Sequence, residues 1–200
     1  RFSAGSIVHR ISPLGILAVS ATIAAAGLTA LSFATGMSIL LAATLYAFGK
    51  TFFWPTMLGV VAERFPKGGA LTINTIAGVG MLSVGIVGAV FMGKIQDSAI
   101  DRDLKAYDSK NNTQYHATLV TSEKVSIFGK YMTIDQEKLK AESEESQKVV
   151  KDVSMLASKG ALRTVAIFPC IMLVCYIILI VYFQSKGGYK PIHIGGEGGH

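Results

Sequence analysis

Residues 36–70 read GMSILLAATLYAFGKTFFWPTMLGVVAERFPKGGA. At 1.5 Å of rise per residue, the apolar part of this stretch is long enough to cross a hydrocarbon core of about 30 Å as a helix. One residue breaks the pattern. Lys50 stands near the middle, where inserting a lysine costs about 2.5–3.5 kcal/mol. Gly49 precedes it, and Pro55 removes a backbone donor, leaving the carbonyl of Thr51 without its helical partner. The spacing predicts a helix over 38–62, with Gly49 and Pro55 as the residues that let it bend. Tyr46, Lys50, Phe53, Trp54 and Met57 fall on one helical face. Charged, kinkable helices inside membranes line water-filled paths or binding sites, so this face is the candidate substrate path.

The blander account of Lys50 is a side chain that snorkels to the membrane surface. Its stem reaches only several Å, whereas the nearest interface is about 15 Å away. The nearest acid along the helix, Glu63, is thirteen residues on, a rise of about 20 Å. The counter-charge must come from another helix, from water or from a bound solute.

Composition agrees with a membrane setting. Half of the 200 residues are hydrophobic and 16% are charged, against about 25% charged in an ordinary soluble domain. The charges are also unevenly spread: residues 13–49, 68–93 and 164–185 contain none, over 37, 26 and 22 positions. Such runs match membrane spans. The net charge of +6 does not indicate nucleic acid, because residues 94–163 hold 12 basic and 11 acidic side chains and are nearly neutral. The excess sits beside the apolar runs, at Arg1, Arg10, Arg64, Lys67, Lys186 and Lys190, as the positive-inside rule describes.

The expected fold is all-α, a polytopic transmembrane helix bundle with a polar insertion before its last helix. Residues 1–96 hold the end of one helix, read in RFSAGSIV, and three full spans at about 14–34, 38–62 and 70–92. The span over 14–34 is rich in Ala and Gly and reads as scaffold. The third span carries Asn74, a further candidate for the substrate path, and a ridge of small residues, Gly85, Ala89 and Gly93, suited to close helix packing. Residues 97–160 form a polar segment, turn-rich over 97–131 and helical over 134–157, where Val149, Val150, Val153 and Leu156 make an apolar stripe. The last span covers 161–185, and the glycine-rich tail 186–200 reads as flexible. The three basic clusters fall on one side of the membrane. Tail and loops are therefore expected in the cytoplasm, with 97–160 outside.

No catalytic constellation emerges. The Gly49-Lys50-Thr51 triplet lacks the upstream glycine of a phosphate-binding loop, since position 44 is a threonine, and it lies within an apolar helix. The four histidines are scattered without ligand spacing, and Cys170 and Cys175, five apart on a helix, diverge. No enzyme activity, cofactor or metal is expected.

Two stretches carry a family resemblance. RFSAGSIVHRISP resembles the end of a helix and the following cytoplasmic loop in the second half of major facilitator superfamily transporters. ATLYAFGKTFFWPTMLGVVAERFPKGGA, residues 43–70, resembles their tenth helix and the loop after it, and the glycine-rich span resembles their eleventh. The long segment between the last two spans departs from that family, where the link is short. The resemblance implies that the chain holds the end of helix eight through helix twelve, a C-terminal portion of a longer secondary transporter. Such a protein moves a small solute by alternating access between two halves, in the plasma or bacterial inner membrane. The partners it implies are the lipid bilayer, a solute with or without a coupling ion, and the upstream helices. A helical subunit or channel-like protein that uses the polar segment for interactions is the alternative.

Overall fold

The computed structural model describes residues 12–192. The helix end expected at 1–8, most of the basic turn after it, and the tail beyond 192 lie outside the described residues. The rest is predominantly helical and divides into two compact units. One comprises the chain up to Met81 together with the part from Ala166 onward; the other runs from Leu82 to Val165.

In the first unit, α1 spans Pro13–Phe33, with Ser12 as its N-cap accepting from the Gly15 amide and Pro13 in its first turn. Gly36 takes a positive φ of 54° in the link that follows. The span expected over 38–62 is two helices rather than one: α2 at Ser38–Thr51 and α3 at Phe53–Arg64. The break falls at Phe52, whose amide turns to the Lys50 carbonyl. Pro55 thereby enters the first turn of α3, where a missing amide proton costs nothing. Neither half is long enough to cross a membrane alone.

Helix α1 packs against α2 and α3 and against α9, Ile167–Ser185. The α1–α2 contact is close because small residues face each other. A Cβ added to Gly27 would lie 2.5 Å from the Tyr46 backbone nitrogen, and one added to Gly49 would lie 2.6 Å from that of Ala24. Gly49 is thus buried as a packing residue, and the break it was expected to help make comes three positions later.

A short 3-10 turn at Pro66–Gly68 leads into α4, Gly69–Leu82, as the helix-ending role of Pro66 predicts. The helical run does not stop near residue 92. It passes through a π-helical segment, Ser83–Gly88, and continues as α5, Ala89–Asn111. The turn-rich character expected of 97–131 therefore begins only after Asn111, where Asn112 adopts the left-handed conformation that closes a helix. Three helical runs are long and apolar enough to cross a membrane, by length and composition: Pro13–Phe33, Pro66–Asn111 and Glu144–Ser185.

The second unit has a core of its own. Short helix α6, Tyr115–Leu119, is followed by an antiparallel hairpin, β1 at Ser122–Ser126 and β2 at Gly129–Thr133. This hairpin is the one departure from an all-helical chain among the described residues. Its two-residue turn ends on Gly129 at φ 97°, a conformation that favours glycine. Helix α7, Gln136–Ala141, is capped by Asp135, and α8, Glu144–Val165, by the Ser143 hydroxyl. Leu104, Leu119, Ile134, Leu139, Val150 and Val153 form the buried cluster. The stripe on α8 is Val150, Val153, Ala157 and Ala161; Leu156, placed on it by spacing, is 67% exposed. Asp108 fixes the α5–α6 turn by accepting from Thr113 Oγ1 and the His116 amide, while His116 Nε2 meets Asp101 at 2.9 Å.

Candidate functional site

Lys50 lies in the last turn of α2, next to the break. Its position has two physical consequences. The carbonyls that end α2 carry a partial negative charge that favours a cation, and the first amides of α3 lack helical acceptors. The break therefore places an ammonium group and a half-helix N-terminus within a few residues of each other. The Lys50 side chain is exposed, its Nζ 5.6 Å from the centre of the Tyr46 ring. No ion pair among the described residues involves it. Thr51 has turned its hydroxyl back to the Ala47 carbonyl at 2.7 Å, so it presents no free donor.

The other residues expected on this face separate into two groups. Tyr46 stays with Lys50 and is held from behind, its backbone against Gly27 of α1. Trp54 belongs to α3 and rests on α4 instead: a Cβ on Gly80 would meet its ring at 3.0 Å. Phe53 and Met57 are half-buried. Phe48 and Phe52 stack edge to face at 5.5 Å across the break. Asn74 is exposed on α4, and no hydrogen bond to the Lys50 face is made among the described residues. The break thus splits the predicted stripe, leaving Tyr46 and Lys50 as its coherent part.

The glycine ridge behaves differently from expectation. Nothing lies within 4 Å of a Cβ added at Gly85, and Ala89 is exposed; Gly93 alone has a neighbour, the Tyr131 hydroxyl at 3.8 Å. The close helix contact in the described residues is made by Gly27 and Gly49. The ridge at Gly85 and Ala89 has no partner there.

A second polar cluster joins the end of α3 to the chain after α9. Tyr189 Oη donates to Glu63 Oε2 at 2.7 Å, Arg64 donates to the Lys190 carbonyl at 3.0 Å, and the Ile192 amide donates to the Glu63 carbonyl at 2.9 Å. The Arg64 guanidinium also lies 4.5 Å from the Phe183 ring centre and 5.8 Å from that of Tyr189. Burial, then the bond to Glu63, push the Tyr189 hydroxyl well above its ordinary pKa, with Arg64 opposing weakly. Residues 186–192, expected to be flexible with the rest of the tail, are held by these bonds. From the sequence, Glu63 figures only as an acid too distant to pair with Lys50, and Arg64 only as one of the basic charges beside the spans. The available signal was the Tyr189-Lys190-Pro191 triplet, an aromatic and a proline within an otherwise glycine-rich tail.

Among the described residues, no group of three or more His, Cys, Asp or Glu side chains is placed to hold a metal ion. No family model, no curated protein and no solved structure matches this chain.

Proposed function

We propose that the chain is the C-terminal part of a major-facilitator-type secondary transporter, in which α2 and α3 together form one interrupted span bordering the solute path. The observation that carries this reading is the break at Phe52 beside Lys50. Interrupted helices at mid-membrane are where transporters bind their substrates: half-helix N-termini face anionic groups, and a cation at membrane depth marks a path. The Lys50 ammonium and the open amides of α3 favour a small solute bearing a carboxylate or another anionic group. The family resemblance of residues 43–70 supports the same assignment. The upstream helices would supply the opposite wall. A non-transporting membrane subunit is the second reading, favoured by the separate core of the second unit.

The deciding experiment is uptake by the full-length protein, per molecule inserted, with Lys50→Met. This substitution keeps much of the side-chain volume and removes the charge. Uptake of an anionic solute is expected to fall at least tenfold while membrane insertion stays normal. Unchanged uptake would put Lys50 outside the path. Topology is tested separately, in a background with Cys170 and Cys175 replaced by serine. A cysteine at Ser109 is expected to react with an impermeant maleimide in intact cells and one at Ser185 is not. The opposite labelling would reverse the orientation.

A further inference from the structure

The second unit contains an open cleft of about 460 Å³ between α5, the hairpin turn and α8. Phe91, Ile95 and Phe128 give it an apolar floor, and its polar side chains are Lys94, Ser98 and Arg102 of α5 and Thr164 of α8. Lys94, Ser98 and Arg102 recur every four residues, so they line one face of α5. Phe91 and Phe128 meet edge to face at 5.0 Å. Lys94 Nζ donates to the Phe128 carbonyl, which fastens the hairpin turn over the helix and leaves two ammonium protons for another acceptor. Arg102 Nε donates to Asp103 Oδ1 at 2.8 Å; the two terminal nitrogens of its fork make no hydrogen bond among the described residues. The cleft therefore offers two cations and the Ser98 and Thr164 hydroxyls above a largely aromatic floor.

Its position along the chain indicates what fits. The apolar run of α4 and α5 ends at Gly93, and Lys94 is the first charge after it. Helix α8 carries its last charge at Arg163, one residue before the uncharged run that begins at Thr164. Both helices that wall the cleft thus change from charged to apolar at its edge. In a membrane that change marks the headgroup layer.

We propose that this cleft binds the phosphate of an anionic phospholipid, between Lys94 and Arg102 with Ser98 as a hydroxyl donor, the acyl chains lying toward Phe91. The inference rests on the membrane reading above. Phosphate oxygens accept from both cations, and each cation near an anionic lipid surface contributes about fivefold in affinity.

The test uses the full chain in neutral-detergent micelles with a trace of phosphatidylglycerol labelled on its acyl chain, read by fluorescence anisotropy. Unlabelled phosphatidylglycerol is expected to displace the probe at least tenfold better than phosphatidylcholine. Arg102→Gln, at a side chain that is 74% exposed and bears on no core, is expected to weaken binding about fivefold, and Lys94→Gln with Arg102→Gln about 25-fold. Lys148→Gln, an exposed charge on α8 outside the cleft, is expected to leave it unchanged. Equal displacement by the two lipids overturns the proposal, as does an Arg102→Gln variant of normal helical content and unaltered affinity. Displacement by inorganic phosphate at the concentration where phosphatidylglycerol acts would assign the cleft to a soluble anion. A chain that resists carbonate extraction from membranes yet fails to discriminate lipids overturns the cleft assignment alone; a chain that is extracted overturns the membrane reading itself.

Discussion

The two units make their closest contacts with different kinds of residue, although leucines are buried in both, Leu14, Leu17 and Leu28 in the first. In the first, the closest contacts are made by Ala24, Gly27 and Gly49, while Leu71, Met37 and Phe33 are 77%, 76% and 65% exposed. In the second, Leu104, Leu119 and Val150 are the largest side chains fully enclosed, and the charges lie outside. Water drives large apolar side chains inward because their exposure costs about 25 cal/mol per Å². A lipid tail imposes no such cost, so helices in a bilayer approach through small residues and leave bulky ones facing outward. The small-residue contacts of α1 and α2 are what the membrane reading proposed above would require, and the enclosed leucines of the second unit are what water requires.

This contrast is open to direct attack. The largest effect is expected from Leu104→Ala, which deletes a fully enclosed side chain and should destabilise the second unit by about 3 kcal/mol. Hydrogen exchange of the α8 amides reads that loss. Leu71→Ala should change nothing measurable, and comparable losses at both sites would erase the distinction. Next comes Gly27→Ala, whose new Cβ lies 2.5 Å from the Tyr46 nitrogen and 2.6 Å from its Cα. The α1–α2 contact must open, at about 1–3 kcal/mol, lowering the thermal midpoint in detergent. Gly85→Ala, with nothing within 4 Å, should stay within about 0.5 kcal/mol of the parent. A large loss there would mean that the Gly85–Ala89 ridge is packed after all.

A smaller effect is expected at the α3–tail junction. Tyr189→Phe removes one hydrogen bond to Glu63, worth about 1 kcal/mol, and should speed exchange of the Ile192 amide. Because the folded environment raises the Tyr189 pKa, the junction is at full strength below the free tyrosine value, about 10. It weakens as pH rises from there through the folded value. The alkaline loosening should be absent from Tyr189→Phe. If the parent and the variant loosen alike, another group controls the junction.

Much of this arrangement was legible in the residues. The uncharged runs located the apolar helices, Pro66 and its glycines marked the turn before α4, and charge density separated the polar part. The helix break was legible in kind through Pro55, although its position was not. Proline disfavours a helix over several preceding residues, and the choice among them fell to Gly49, whose burial against Ala24 keeps it helical. The continuation of α5 to Asn111 was obscured because Asp and Lys suit an exposed helix as well as a loop. The hairpin was hidden because Ser126-Ile127-Phe128-Gly129 lacks the usual Asn-Gly turn pair. Contacts between residues far apart in sequence, such as Tyr189 with Glu63, leave no trace in local periodicity.

The break at Phe52 also has a mechanical consequence. Helix α3 has 12 residues, a lever of about 18 Å measured from the break next to Lys50. A swing of about 10° at the pivot would carry the far end through about 3 Å, further than any hydrogen bond stretches. That far end is Arg64, tied to the Lys190 carbonyl. A rotation of that size beside the lysine would have to break the Arg64–Lys190 bond, so the tail's contacts oppose any such turn at Phe52.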